Sequence, residues 1–157
     1  MHLEYFHLID RIADLNVSER TISVEAQVPE TSTIFEGHFP GHPLMPGVLL
    51  VEAMAQTSGW LIIGATGFTR MPFLAAVKEA KLRTFVAPGQ ILSLAASLLH
   101  EGSGYAITKA SIDVDGKTVA NSEITFKVMA CPDPKFRTSM SEVASRIGFP
   151  VEAPAHG

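Results

Sequence analysis

Two ionisable side chains occupy positions where their surroundings make them candidates for chemistry. His38 lies in residues 35–47, a segment with three prolines and three glycines, and this composition predicts a shaped loop without regular secondary structure. Glu52 follows on a stretch that is otherwise apolar, although a glutamate is seldom fully buried without a partner. A histidine can take up a proton near neutral pH, and a shielded carboxyl group can retain one. The pair could therefore serve as general base and general acid.

The segment after the loop is predicted to form a helix that begins at Pro46 or Gly47 and ends at Ile63. Proline is tolerated at the first helical position, the segment is rich in leucine and alanine, and Gly64 and Gly67 mark its end. Nearly every side of this helix is apolar, so other structure must surround it. A curved sheet would provide that cover.

This helix also brings polar groups near the two candidate residues. Gln56 lies one turn after Glu52, so its amide can bond the carboxylate. The N–H groups of Gly47 and Val48 have no acceptor within the helix, and they can stabilise a negatively charged oxygen. The simpler alternatives are a glutamate on a solvated stripe of the helix and an ordinary loop histidine at position 38.

Strands are predicted wherever apolar and polar residues alternate with a period of two. The Asp115-Gly116 pair between the last two strands is a strong hairpin signal. The fold class is therefore α+β, with a curved antiparallel sheet around one long buried helix. A polar tail follows in residues 131–157, where residues 141–147 can form one or two helical turns. The predicted strands span residues 6–14, 22–28, 73–83, 90–100, 105–114 and 118–129.

Composition excludes several other classes of protein. A chain of 157 residues with 46% hydrophobic and 18% charged residues fits one globular domain. Sixteen acidic and twelve basic residues give a net charge of −4 without a basic run, so we expect no nucleic-acid partner. Cys131 is the one cysteine, and it cannot form an internal disulfide.

Neither a metal site nor export is expected. His38 and His42 are four residues apart, but Pro40 and Pro43 prevent the helix that would bring them together as ligands. The N-terminus lacks a basic region followed by an apolar one, and the apolar residues 48–63 are too interrupted for a membrane span. A cytoplasmic protein without membrane insertion is expected.

A longer motif surrounds the candidate residues. Residues 37–49 read Gly-His-Phe-Pro-Gly-His-Pro-Leu-Met-Pro-Gly-Val-Leu, and residues 52–56 read Glu-Ala-Met-Ala-Gln. Together they resemble the signature of the (3R)-3-hydroxyacyl-[acyl-carrier-protein] dehydratases of the FabZ type. Residues 81–90 are similar to the basic strand and Pro-Gly-Asp turn of that family, although Gln90 replaces the acidic residue. The resemblance covers residues 6–130 and leaves the tail outside.

The resemblance implies a hot-dog fold for residues 1–130, with dimers that place active sites in tunnels at the subunit interface and can assemble as trimers of dimers. It implies that His38 is the catalytic histidine and Glu52 the catalytic carboxylate from the partner subunit. Gly47 would hold the thioester carbonyl, and Gln56 would orient the carboxylate. The residues expected to bind the substrate are Phe39, Gly47, Val48 and Gln56.

The implied activity is dehydration of a 3-hydroxyacyl group on acyl carrier protein to a trans-2-enoyl group, in fatty acid or related acyl-chain biosynthesis. This hydro-lyase reaction needs no cofactor. The acidic carrier would dock on a basic patch, for which the candidates are Lys78, Lys81 and Arg83. Glu52 stands where dehydratase-isomerases carry aspartate, and this argues against isomerisation. A hot-dog thioesterase and a non-catalytic acyl-binding subunit are the alternatives.

Overall fold

Six strands form one antiparallel sheet in the computed structural model, which describes residues 1–150. The strand order is β1-β2-β4-β5-β6-β3, and every neighbouring pair is antiparallel. The elements in chain order are a short 3₁₀ helix (Leu3–Tyr5), β1 (Arg11–Asn16), β2 (Thr21–Gln27), α1 (Thr33–Gly37), α2 (Gly47–Ala65), β3 (Arg70–Leu82), β4 (Ile91–Gly102), β5 (Tyr105–Val114), β6 (Lys117–Ala130) and α3 (Pro134–Ile147).

Helix α2 is the centre of the core, as the sequence predicted. Twelve of its 19 residues are buried, and the alternating apolar residues of β2, β4, β5 and β6 face it. The helix is long and apolar enough to cross a membrane by composition, but 67% of its apolar 18-residue window is buried inside the fold. The predicted α+β architecture is confirmed.

One buried hydrogen bond fixes the helix to the sheet. Thr108 Oγ1 on β5 donates to Ser58 Oγ on α2 at 2.7 Å, and both residues are fully buried. A buried polar group that loses its partner costs about 1–3 kcal/mol. This bond therefore favours one rotation of α2 against the sheet over others.

The first strand was predicted over residues 6–14, but β1 begins only at Arg11 and is shorter, with six residues. Residues 6–8 are occupied by another interaction: Gln56 Nε2 donates to the carbonyl of Phe6 at 2.8 Å, and its Oε1 accepts from the N–H of Leu8 at 3.2 Å. Phe6 is in the left-handed region with φ 56°. The segment therefore binds the central helix instead of a strand.

Regular structure also extends into the predicted loop. Helix α1 covers residues 35–37, which the proline and glycine content had assigned to the loop. Ser32 caps this helix by accepting from the N–H of Ile34 at 3.1 Å. The first proline of the predicted loop comes only at position 40. The prediction was wrong for these three residues because the prolines that exclude a helix all follow them in the chain.

Helix α3 begins seven residues earlier than the predicted helical turns. The Asp133 side chain accepts from the N–H of Phe136 at 2.8 Å, Pro134 occupies the first turn, and Gly148 ends the helix with φ 75°; each is a strong end signal. Ile147 and Phe149 are buried in the core. The rest of the predicted tail, residues 151–157, lies outside the described residues.

The N-terminal segment is also tied to α1 through Glu4. Its carboxylate accepts from Ser32 Oγ at 2.7 Å and from the N–H of Thr33 at 2.8 Å. These hydrogen bonds, that of Ser32 foremost, lower the pKa of Glu4 to about 2. The ionised form of Glu4 thereby holds the start of the helix that leads to His38.

We expect Glu4→Gln to reduce stability near neutral pH and to leave it unchanged in strong acid. The folded-state pKa lies below the unfolded value of 4.5, so this stabilisation is present above pH 4.5 and is lost as the pH falls towards about 2. Urea unfolding of wild type and variant over this pH range measures the effect. Glu19→Gln, an exposed change on a turn, is the control; an equal pH dependence in wild type and Glu4→Gln would contradict the assignment.

Candidate active site

The loop that carries His38 is held by its own backbone. The N–H of His38 donates to the carbonyl of Ile34 at 3.0 Å, and the His38 carbonyl accepts from Leu44 at 3.0 Å. Phe39 and His42 exchange backbone hydrogen bonds of 3.0 and 2.8 Å. The histidine therefore has a defined position before any ligand binds.

The hydrogen bonding of the His38 ring determines which nitrogen can act as a base. Nδ1 lies 3.0 Å from the carbonyl oxygen of Leu44. A carbonyl can only accept, so Nδ1 carries the proton and Nε2 of the neutral ring keeps a free lone pair. The ring also stacks on Phe39, with centroids 4.1 Å apart and planes 25° apart, which restricts its rotation.

A cavity of about 440 Å³ opens beside His38. The start of α2 contributes Gly47, and a Cβ at this position would collide with Leu82 Cδ1. Among the described residues, the N–H groups of Gly47 and Val48 donate to no backbone acceptor. The lining residues are His38, Phe39, Leu44, Met45, Gly47, Leu50, Leu82, Arg83, Thr84, Phe85 and Val86. The cavity thus combines a base, the free N–H group of Gly47 and apolar walls, whereas Val48 is not among its lining residues and has an exposed side chain.

Glu52 is half-buried on α2 and is positioned by Gln56. Gln56 Nε2 donates to Glu52 Oε1 at 3.2 Å while it also donates to the carbonyl of Phe6. Because the backbone of Phe6 and Leu8 holds both ends of the amide, Gln56 cannot rotate without losing hydrogen bonds. The carboxylate therefore has a fixed partner on one side and a second oxygen available for other contacts.

The single chain does not place His38 and Glu52 in one cavity. Glu52 lines a separate cavity of about 180 Å³ between α2, β3, β6 and α3. A larger cavity of about 620 Å³ lies on the outer, polar face of the sheet and includes Lys81 and Asn121, away from both groups. Within one chain, His38 and Glu52 therefore line two different cavities.

The three basic residues expected at a docking surface are exposed but differ in their contacts. Lys78 Nζ is 3.9 Å from Glu123. Lys81 pairs with Asn121 in the sheet register, and Arg83 Nε donates to Asn121 Oδ1 at 3.0 Å. The prediction that Arg83 belongs to the strand was wrong, because β3 ends one residue earlier. Arg83 instead lines the cavity of His38.

Sequence reasoning missed the groups that orient the two ionisable residues. The carbonyl of Leu44 and the backbone of Phe6 and Leu8 act through atoms that every residue has, so no side-chain pattern could reveal them. It also missed Phe136 and Met140 of α3, which line the cavity of Glu52. These two apolar residues are four positions apart in an otherwise polar tail, and this spacing could have indicated a helix with one buried face.

Structural comparison shows the hot-dog fold that the resemblance implied. The conserved protein PA5202 from Pseudomonas aeruginosa superposes with a TM-score of 0.63 at 23% identity, covering 80% of this chain and 91% of that one. A hypothetical thioesterase with coenzyme A from Streptococcus pneumoniae gives a TM-score of 0.61 at 15% identity, covering 76% and 85%. Identities this low bear on the fold alone.

Sequence comparison is more specific. A family model described as a FabA-like domain matches residues 1–123. The 3-hydroxyacyl-[acyl-carrier-protein] dehydratase FabZ of Levilactobacillus brevis is 36% identical over 126 residues, which cover 80% of this chain and 84% of that protein. The match includes the loop of His38 and the helix of Glu52. On this extent and identity, the chain is a FabZ-type member of the FabA-like family.

Proposed function

We propose that this protein dehydrates (3R)-3-hydroxyacyl groups carried by acyl carrier protein to trans-2-enoyl groups in acyl-chain biosynthesis. The observation that carries the proposal is the geometry of His38, whose Nε2 is left free by the Nδ1–H bond to Leu44 in a cavity that also contains the start of α2. The dehydratase name of the Levilactobacillus brevis relative supports the same reaction. We propose that the enzyme acts on this substrate in the cytoplasm.

The proposed reaction begins with removal of the α-proton of the thioester by His38 Nε2. Negative charge then develops on the thioester oxygen, which the N–H of Gly47 and the positive end of α2 can stabilise by about 3 kcal/mol. Val48 and Phe39 would contact the substrate beside it. The intermediate still retains its β-hydroxyl group.

Loss of that hydroxyl group requires an acid. In the proposed second step Glu52 gives a proton to the β-oxygen, the carbon–oxygen bond breaks, and water leaves as the double bond forms. His38 then holds one extra proton and Glu52 lacks one, so transfer of a proton between them restores the enzyme. The chain's own side chains thus complete the reaction without a cofactor.

A homodimer would bring the two groups together, and β3 is where we expect it to form. Strand β3 is at the edge of the sheet, and within the described residues only β6 pairs with it. An unpaired edge with apolar side chains favours pairing with another chain. Its exposed large apolar residues are Phe73, Leu74, Val77 and Leu82. Pairing of two copies would cover this strand and bring α2 of each towards the His38 loop of the other.

We expect His38→Ala and Glu52→Gln each to reduce kcat by about 10²- to 10⁴-fold, the usual contribution of one proton-transfer group. Enoyl absorbance and free thiol, measured separately on a 3-hydroxyacyl thioester, distinguish dehydration from thioester hydrolysis. His42→Ala, an exposed histidine of the same loop, is the control for local disruption. Turnover near the wild-type value in either variant would remove that residue from the mechanism, and release of thiol without enoyl product would favour the thioesterase.

Mixing the two inactive variants should restore activity. A dimer of one His38→Ala chain and one Glu52→Gln chain has one site with both residues intact and one with neither. We expect up to a quarter of wild-type activity, because about half of the dimers are mixed at random exchange and each has one intact site. Exchange is verified with differently tagged chains. Mixed dimers without activity would show that both residues of a site come from the same chain.

Charge reversal should reveal the carrier-docking surface. We expect Lys81→Glu with Arg83→Glu to raise KM for carrier-bound substrate, most strongly at low salt, because such pairs are screened over roughly 10 Å at 0.1 M. Arg83 lines the cavity of His38, so Lys81→Glu alone is the variant that should leave turnover of a short carrier-free thioester unchanged, and the double variant should affect that substrate less than the carrier-bound one. Lys117→Glu with Lys127→Glu makes the same change in net charge elsewhere and is the control. Equal losses on both substrates would show that the first pair shapes the cavity or the fold.

A further inference from the structure

The cavity beside Glu52 extends along one face of α2. The residues of α2 that line it recur at i, i+3, i+4, i+7, i+8 and i+11, as expected for a single helical stripe. From Glu52 to Ile63 this stripe covers eleven steps of the helix, or about 16 Å. Its members are Glu52, Ala55, Gln56, Gly59, Trp60 and Ile63. A carboxylate and an amide stand at one end, and apolar side chains follow.

The far wall of this cavity comes from α3. Phe136 and Met140 lie four residues apart, so they project from the same side of the helix, and both line the cavity. Phe136 also packs against Phe73 of β3, with ring centroids 6.1 Å apart. The family match ends at residue 123, so this wall lies outside the matched residues.

Helix α3 is held firmly enough to act as a wall. Phe149, directly after the helix, packs between Trp60 and Phe68 with ring centroids 5.4 and 5.7 Å away, and Arg137 lies over the Phe68 ring at 5.9 Å. Ile147 is fully buried. With both ends of the helix capped, Phe136 and Met140 have defined positions.

We propose that this cavity receives the distal part of the acyl chain and that Phe136 and Met140 close it, so that α3 limits chain length. The inference rests on the proposed function: if Glu52 protonates the β-oxygen, the carbons beyond the β-carbon extend from Glu52 into the adjoining apolar space. The cavity holds about 180 Å³, and an apolar cavity of about 150 Å³ accommodates benzene. Roughly six carbon atoms therefore fit.

The test is a chain-length profile. Carrier-free 3-hydroxyacyl thioesters that differ by two carbons are assayed for enoyl formation, which removes carrier docking from the measurement. For the wild type we expect kcat/KM to rise by about fourfold per methylene that enters the cavity. It should fall once the chain extends more than about six carbons past the β-carbon.

Variants on opposite walls should move this profile in opposite directions. Phe136→Ala and Met140→Ala enlarge the cavity and should shift the optimum to longer chains. Gly59→Ala narrows it and should shift the optimum to shorter chains; its Cβ would lie 3.5 Å from Pro72 Cγ, an ordinary contact, and alanine favours a helix over glycine, so folding is preserved. Lys135→Ala, an exposed change on α3, is the matched control.

The outcomes separate this inference from the proposed function. If the wild type dehydrates no member of the series, the proposed function fails. If the wild type is active but all three wall variants keep its profile, the chain-length role of α3 is overturned and the dehydratase assignment stands. Equal loss at every chain length would also overturn it, because a wall at the far end should affect long chains most.

Discussion

The structure depends on the burial of one helix that is apolar on almost every side. Helix α2 has twelve buried residues, and the sheet of its own chain can cover only part of such a helix. The remaining stripe, which begins at Glu52, is covered by the segment at Phe6–Leu8 near one end and by α3 near the other. The part of α2 that remains uncovered is where we propose that substrate and partner bind. The need to bury α2 thus leads directly to the position of the candidate site.

Three polar side chains on this helix, those of Gln56, Thr57 and Ser58, are tolerated because hydrogen bonds satisfy them. Ser58 is bonded to Thr108, and Thr57 Oγ1 donates to the carbonyl of Ala53 at 2.9 Å. Gln56 makes three hydrogen bonds, two of them to backbone. Glu52 is different, because its Oε2 atom makes no hydrogen bond within the described residues. The group with spare bonding capacity is the one to which we assign the acid role.

Much of this could be predicted from sequence because the relevant signals were local. The two-residue alternation of β6 and the apolar run of α2 required no knowledge of distant residues. The failures had tertiary causes: residues 6–8 have a strand-like pattern, but Gln56, almost fifty positions away, binds their backbone. The full length of α3 was missed because its end signals were not considered. Of the site, the residue types at positions 38, 52 and 56 were identified, whereas the carbonyl of Leu44 that orients His38 was not.

The two candidate proton-transfer groups are positioned by different means, and this bears on the proposal that two chains form the site. His38 is held by backbone bonds within a loop, whereas Glu52 is held by a side chain on a helix. In each case the supporting atoms belong to the same chain, so each subunit can position its own half of a site before the subunits meet. The remaining requirement is the relative placement of two rigid bodies, which a paired β3 edge would determine through backbone hydrogen bonds in fixed register. A sheet edge is well suited to this task because the backbone donors and acceptors of β3 can meet those of a second strand only in discrete registers.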